Sequence, residues 1–436
     1  MPEFLTLLPP DEARELLLSH LSIPDRDPEI MDVPLSLGRV LAEDIAAPHA
    51  LPAFERSTVD GYAVRASDTH GAGDSQPAYL SLIGEVPMGD APSFEIDTGQ
   101  CALIHTGGML PHGSDAAVML ESTQQTSEVS KNIGNHLPEI EIFRAVAEGE
   151  NVIHVGEDVA RGQVVQPRGS MMRPAEIGGL MALGVTQVPV MRRIKVGLIS
   201  TGDEIIDPGE SPRPGQVRDI NSYTLGALVE KSGGEQVLYG IISDTFEALK
   251  ETAATARSEC DVVIITAGSS ASTRDMTADV IRSLGEPGVL VHGINTRPGK
   301  PTILGVCNGK AMIGLPGNPV SALVNGVLFV VPVIEKLLGV LPRPRPVVSA
   351  RLTVNLSSQA GREDWWPVKL LASPSPTGRS RSTPEGRARG EGMYQADPIF
   401  GKSNLIFTLA AADGLLRIHP DATGLSAGET VEVMLI

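Results

Sequence analysis

The sequence predicts a multidomain α/β-plus-β protein: a central α/β unit on a parallel sheet, flanked by β modules, the last of them a C-terminal β-barrel. Three observations point there. Between residues 194 and 336 short apolar runs alternate with helical periods: IKVGLIS before 222–231, EQVLYGIIS before 245–256, DVVIIT before 276–284 and AMIGL before 319–331. Such βαβα alternation implies parallel strands covered by helices on both faces. Residues 80–121 and 349–436 carry short strand-like runs broken by Gly and Pro turns, the pattern of compact β modules. At 436 residues the chain exceeds one usual core.

Composition excludes several classes. Acidic residues outnumber basic ones 53 to 35, giving a net charge of −18. A duplex-binding surface needs a basic excess to neutralise phosphates, so none is expected. Aromatic residues make up 3% of the chain, too few for the stacking platforms of single-stranded nucleic-acid binders. Cys101, Cys260 and Cys307 lie far apart, give no zinc framework and fit a reducing compartment. The stretch MPEFLTLLPPDEARELL lacks a basic n-region and a continuous apolar h-region, so no signal peptide is expected. The most apolar segment, 320–334, is interrupted by Asn325, Gly326 and Pro332 and reads as too short to span a bilayer. A soluble cytoplasmic protein without nucleic-acid or membrane partners is the expectation. Surplus carboxylates suit divalent cations.

In chain order, residues 10–21 read as a short amphipathic helix, with Asp11 near its N-cap and Leu16, Leu17 and Leu21 on its apolar face. Ser57, Asp60 and Gly61 are turn formers, followed by strand-like alternation over 62–65. The polar stretch 122–138 reads as an exposed loop, strands resume at 139–143, and 173–183 reads as a helix with Pro174 in its first turn.

In the α/β unit, right-handed crossovers place all four strand carboxyl ends on one edge, where ligands of open α/β sheets sit. The first strand ends in Thr201-Gly202-Asp203-Glu204 and the second in Ser243-Asp244. The third runs into a small-residue loop, 266–273, that contains Ser270 and leads to Asp275. The fourth ends in GLPGNP, where Asn318 suits an N-cap, Pro319 the first helical position, and Gly317 close approach of a ligand to the backbone. A helix start there favours an anion such as phosphate, and NTRPGKPTILG just upstream adds Arg297 and Lys300. Two familiar phosphate signatures fail: position 294 is Ile294 where a Walker A loop needs Gly, and no GxGxxG follows a strand. After a Pro-rich linker at 341–346, residues 349–436 form the last β module around a polar, Arg-containing insertion at 374–392.

A family resemblance rests on stretches that run in order from residue 57 to 415: STVDGYAVRASD, HTGGMLPHGSDAAVMLE, GEDVARG, LISTGDEI, GQVRDINSY, AGSSASTRDMTADVI, RPGKP, LPGNPVSA and FGKSNLIFTLAAADGL. Together they resemble the MoeA family of molybdopterin molybdenumtransferases, which is related to the E domain of gephyrin. The resemblance implies a discontinuous N-terminal domain (1–50 and 150–185), an inserted β module (51–149), a molybdopterin-binding α/β domain (186–340) and a C-terminal β-barrel domain (346–436). It implies a homodimer whose site lies between the central domain of one subunit and parts of the other. The implied reaction inserts molybdate into adenylylated molybdopterin and releases AMP, assisted by Mg²⁺. A molybdopterin-adenylylating enzyme and molybdoenzyme acceptors are the implied partners. Carried over residue by residue, the implied catalytic groups are Glu204, Asp244, Asp275 and Asp60. The implied metal ligands are Asp158, Glu204, Asp244 and Asp275. Substrate contacts fall on Thr106, Ser270, Arg297, Lys300, Gly317, Asn318, Arg362 and Ser403. The chain departs from the family pattern at Ala267 and Ser272, where Gly is usual, and at Val59, where Met is usual. Two other readings share the central fold: a carrier or scaffold that binds molybdopterin without inserting metal, and a molybdopterin adenylyltransferase.

Overall fold

The computed structural model describes residues 7–126, 137–267, 271–372 and 394–436; the side chains of residues 271–275 are not among those described. Its centre is the strand Val262–Ala267, buried along its whole length. The period of two is visible in the cores. Val262 and Ile264 pack into one cluster with Leu225, Val229 and Phe329; Val263 and Ile265 pack into another with Leu249, Ala253 and Ile281. Helices Pro10–Ser19, Asn221–Lys231 and Pro319–Asn325 thus cover one face, and Phe246–Glu259 and Ala271–Ser283 the other. Each fully buried Val or Ile contributes on the order of 1.5–3 kcal/mol, which outweighs any weak local preference of these short segments.

The described strands of this sheet stand in the order Gly234–Ile242, Ile194–Thr201, Val262–Ala267, Lys310–Pro316, Ile303–Cys307, Pro287–His292. The first four are parallel, as their alternation with helices requires. The last two form antiparallel pairs at the edge, so the sheet is mixed, which the βαβα pattern alone does not disclose. A second difference concerns the loop expected at 266–273. The strand extends through Ala267 and the helix begins at Ala271, so Ser272 lies in helical backbone and Asp275 near the helix start. Small residues there are compatible with helix as well as loop, and burial of Ala278, Val280 and Ile281 fixes the register of the following turns.

The apolar segment after Asn318 is longer than its interruptions suggest. Pro319–Asn325, a π turn at Gly326–Val330 and Val331–Leu338 make one continuous helical run. Pro332 lacks an N–H, and the wide turn before it accommodates that loss. By length and composition this run of 20 residues matches a membrane span, but its apolar stretch is 72% buried inside the protein. Burial in the core, not shortness, accounts for its hydrophobicity.

Residues 10–21 form a helix over Pro10–Ser19 with Pro9 at the N-cap; Asp11 sits in the first turn, paired with Arg14 and Arg417 rather than capping. The helix expected at 173–183 is present as Pro174–Ala182. The β module has the described strand order Ala116–Met119, Gly61–Val64, Gln100–Ile104, Ala78–Glu85, Glu139–Ile142, Thr123–Gln125. Thr123–Gln125 pairs antiparallel with Glu139–Ile142, so the polar stretch expected as loop begins as an edge strand; residues 127–136 lie outside the described ones.

In the C-terminal module Glu363–Leu371, Tyr394–Pro398, Val347–Leu352, Thr430–Leu435 and Gly414–Ile418 pair in turn, and the last pairs back to the first. The described strands therefore close a five-stranded barrel around Ala350, Val368, Ala396, Leu416 and Val433. The insertion at 374–392 lies outside the described residues. Two of the ties between the barrel and the rest bear on the site. Thr296–Arg297 pairs in parallel with Glu363 and Asp364. Buried Glu363 accepts hydrogen bonds from Trp365 Nε1 (2.7 Å) and Arg417 Nε (2.9 Å), and Arg417 Nη2 reaches on to Asp11 Oδ2 of the first helix (2.8 Å).

Candidate active site

Sheet order decides which chemistry meets at the carboxyl edge. The strands ending at Ile242, Thr201, Ala267 and Pro316 stop there in that sequence. The antiparallel pair adds its connection, 293–302, to the same edge, because His292 lies opposite Ile303. With ~4.8 Å between strands, the strand ends that precede Asp244 and Glu204 lie about 10–15 Å from the strand end that precedes Asn318. An acidic end and a basic end thus share one edge, separated by the segment that follows Ala267.

At the basic end a cleft of about 690 Å³ opens between the central unit and the barrel. Arg297, Lys300, Asn318, Arg362 and Ser403 all line it. Four cations converge, since Lys402 joins Arg297, Lys300 and Arg362. In a chain of net charge −18 that is a local reversal of sign, and it focuses anions into the cleft. Arg297 stacks its guanidinium over the Trp366 ring at 5.5 Å, and Trp366 meets Phe400 edge-on at 5.5 Å. Arg362 is paired with buried Asp364 through Nε (2.7 Å) and Nη2 (3.0 Å).

The connection 293–302 is held by its own backbone: Ile294 N–H donates to Lys300 O (2.8 Å) and Thr302 N–H to Gly299 O (3.1 Å). Beneath it lies Asn325, fully buried in the apolar helix, whose Nδ2 donates to Pro298 O (3.1 Å) and Ser321 O (2.8 Å). Gly299 has φ +107°, and a Cβ there would overlap Asn325 Nδ2, so only Gly lets this loop rest on the helix.

The GLPGNP turn differs from expectation. Asn318 occupies the N-cap position, but its side chain makes no capping hydrogen bond. Pro319 has no N–H, and the N–H of Val320 is taken by Ser403 O (3.0 Å). Ser403 therefore closes the helix start against the barrel loop, and anion attraction falls to the side-chain cations. Gly317 is not among the cleft-lining residues; its carbonyl accepts from Asn221 Nδ2 at 2.8 Å.

At the acidic end Gly202, φ +146°, lets the Glu204 carboxylate fold back; a Cβ would stand 2.8 Å from Glu204 Oε2. Asp244 N–H points to Asp203 Oδ1 at 3.4 Å. Burial, then the charges of Asp203 and Glu204, push the Asp244 carboxyl above its ordinary pKa, while the adjacent Thr201 hydroxyl pulls the other way. Thr201 Oγ1, Asn221 Oδ1 and Asp244 Oδ1 are buried without a well-formed hydrogen bond to any of the described residues. Unmet polar atoms of this kind are costly unless a ligand or ion completes them. Behind them Ser200 Oγ donates to Asp219 Oδ2 (2.8 Å) and Asp219 Oδ1 accepts the N–H of Ser222 (3.2 Å), which sets the first turn of the helix carrying Asn221.

No group of three His, Cys, Asp or Glu side chains among the described residues forms a metal cage. The donors nevertheless fit Mg²⁺, which commonly takes one or two protein carboxylates and completes its shell with substrate phosphates and water. Asp244, with its bare buried oxygen beside Glu204, is such a donor.

The remaining expected residues are elsewhere. Exposed Asp60 accepts from Thr106 N–H (2.8 Å) and Thr106 Oγ1 (3.3 Å) on the β module, with His105 between Asp60 and Glu85. Exposed Asp158 sits in the turn that donates to Leu51 O. None of the three lines the cleft. Ser270 lies outside the described residues, as does the side chain of Asp275. Sequence reading missed Asp364, Trp366, Lys402, Asn221 and Asn325. The first two follow Arg362 by two and four residues but lie in no quoted motif, whereas Lys402 and Asn221 lie inside quoted motifs; Asn325 was visible as a polar residue in an apolar helix.

A parallel-sheet edge with carboxylates at one end and a basic cleft against the barrel at the other is an arrangement that suits an extended anionic ligand. The chain belongs to the MoeA family. Its residues 8–184 match the MoeA N-terminal region (domain I and II), 197–336 the probable molybdopterin binding domain, and 349–436 the MoeA C-terminal region (domain IV). It is 35% identical over 417 residues to a molybdopterin molybdenumtransferase of Nostoc sp., covering 94% of this chain and 89% of that one. It is 32% identical over 407 residues to the molybdopterin molybdenumtransferase of Bacillus subtilis, covering 92% and 88%. The crystal structure of the molybdopterin biosynthesis MoeA protein from Pyrococcus horikoshii superposes with a TM-score of 0.81 at 33% identity, covering 99% of this chain and all of that one.

Proposed function

We propose that this chain is a transferase of molybdenum cofactor biosynthesis that inserts molybdate into adenylylated molybdopterin and releases AMP. The observation that carries this reading is the single cleft in which Arg297, Lys300, Arg362 and Ser403 come together from two parts of the chain. Its cations bind the oxyanion and the phosphates. Glu204 and Asp244, with Asp275, hold Mg²⁺ or orient water and do not act as nucleophiles. A bound Mg²⁺ neutralises phosphate charge at that end of the edge. A soluble, cytoplasmic setting accords with three free, buried cysteines, and an adenylylating enzyme upstream and molybdoenzymes downstream are the partners this chemistry needs.

The test supplies adenylylated molybdopterin, molybdate and Mg²⁺ and follows AMP and active cofactor together. Both products, each requiring Mg²⁺, are expected. Binding without either product assigns the chain to a carrier or scaffold role, and formation of the adenylylated intermediate from ATP assigns it to the preceding step.

Asp60, Thr106 and Asp158 lie outside the cleft, which favours a homodimer in which one subunit's β module completes the other's edge. Mixing D60N with D244N, each strongly impaired alone, then restores about a quarter of wild-type activity, because a mixed dimer keeps one intact site. No recovery after subunit exchange removes the shared-site arrangement.

A further inference from the structure

We infer that Asp364 is a positioning residue: it turns Arg362 so that its free guanidinium edge receives a tetrahedral oxyanion in the cleft. The inference rests on the proposed molybdate chemistry and deepens it. Side chains alternate along the strand Glu363–Leu371. Glu363 and Trp365 serve the Arg417–Asp11 network, whereas Asp364 and Trp366 meet the cleft arginines.

Asp364 is 1% exposed and binds Arg362 side-on, Nε to Oδ1 at 2.7 Å and Nη2 to Oδ2 at 3.0 Å. That pair uses the Nε edge of the guanidinium. The opposite fork, Nη1 with the second Nη2 hydrogen, stays open, and among the described residues it meets Gln359 Oε1 at a loose 3.4 Å. A planar two-donor fork held in this way matches two oxygens of an oxyanion. In the ladder Asp364 stands opposite Arg297, the arginine stacked on Trp366. One buried carboxylate therefore borders both cleft arginines.

Charge alone argues against an acid at this place. Arg297, Lys300, Arg362 and Lys402 line the cleft, and the Asp364 carboxylate cancels part of their field. A site built on net charge binds anions better without it, whereas a site built on orientation binds them worse.

That difference in sign is the test. D364N keeps the size of the side chain and removes its charge. Molybdate titrated calorimetrically into the full-length protein is expected to bind about tenfold more weakly to D364N than to wild type. The KM for molybdate should rise in step, with kcat at saturating molybdate little changed. In an R362A background D364N should add no further loss, because Asp364 acts through Arg362. E363Q, on the other face of the strand, should lower the melting temperature and leave molybdate affinity unaltered. Equal or tighter binding by D364N, or a full D364N effect without Arg362, overturns the inference and leaves the transferase reading standing. A wild-type protein that neither binds molybdate nor releases AMP overturns both. Should D364N not fold, D364E keeps the charge and displaces the fork by one methylene; weakened binding then supports positioning, and unchanged binding overturns it.

Discussion

Asp244→Asn is expected to give a protein that is more stable than wild type at neutral pH yet slower by on the order of 10²-fold. Both effects have one cause. Burial and the neighbouring carboxylates of Asp203 and Glu204 raise the Asp244 pKa, so the folded chain holds that proton more tightly than the unfolded chain does. Its contribution to stability is therefore fully favourable below the ordinary value of 3.8, and is lost as pH rises through the folded pKa. At pH 7 the charged carboxylate is a cost, and Asn removes it while keeping the shape. Retaining such a cost makes sense only where charge is used, and the bare Oδ1 is where a cation or a water would sit. Thermal melts at pH 7 and pH 4, read beside turnover, check this: D244N should melt higher than wild type at pH 7, with the gap closing at pH 4. A D244N protein that melts lower at pH 7, or turns over normally, removes Asp244 from the proposed role.

Gly299→Ala is expected to cost about 2–6 kcal/mol and to displace the Arg297 and Lys300 side of the cleft's basic rim. A residue with a Cβ at φ +107° carries strain of about 1–3 kcal/mol. The same Cβ displaces Asn325, which is fully buried and cannot swing into solvent. Losing its bond to Pro298 O leaves a half-buried acceptor unpaired, at about 1–3 kcal/mol. The loop that carries Arg297 and Lys300 then loses its support, so molybdate binding should weaken even in the fraction that folds, with Arg362 and Lys402 still in place. Urea midpoints and a calorimetric titration measure the two effects separately. Asn325→Ala, which clears the space, should partly restore the stability of the Gly299→Ala protein; the absence of any coupling would show that the two residues do not meet as described.

The reach of sequence reading differed between elements for physical reasons. Strand Val262–Ala267 and its parallel neighbours were legible because strands buried on both faces are uniformly apolar and alternate with amphipathic helices. The edge pair, Pro287–His292 and Ile303–Cys307, was not read, because nothing local distinguishes an antiparallel edge strand from a loop with apolar residues. The 266–273 stretch read as loop because Ser, Thr and Ala satisfy either state; packing of Ala278, Val280 and Ile281 decided for helix from Ala271. The 319–338 helix was underestimated because Asn325, Gly326 and Pro332 look like breaks, yet each is accommodated: Asn325 by Pro298 O and Ser321 O, the others by a π turn.

The sequence by itself determined the chemistry on offer: carboxylates after two strands, Arg and Lys around PGKP, a Gly-rich turn before a helix, and the ordered motifs of one family. Tertiary structure alone decided their grouping. It joined Arg297 and Lys300 to Arg362 and Ser403, because one short strand of the central unit pairs with the barrel. It closed the GLPGNP helix start with the Ser403 carbonyl, set Asp244 among like charges, and left Asp60, Thr106 and Asp158 outside the cleft. Residue types are local and can be read one by one. Proximity across hundreds of residues depends on which surfaces bury best together, and that is a property of the folded whole.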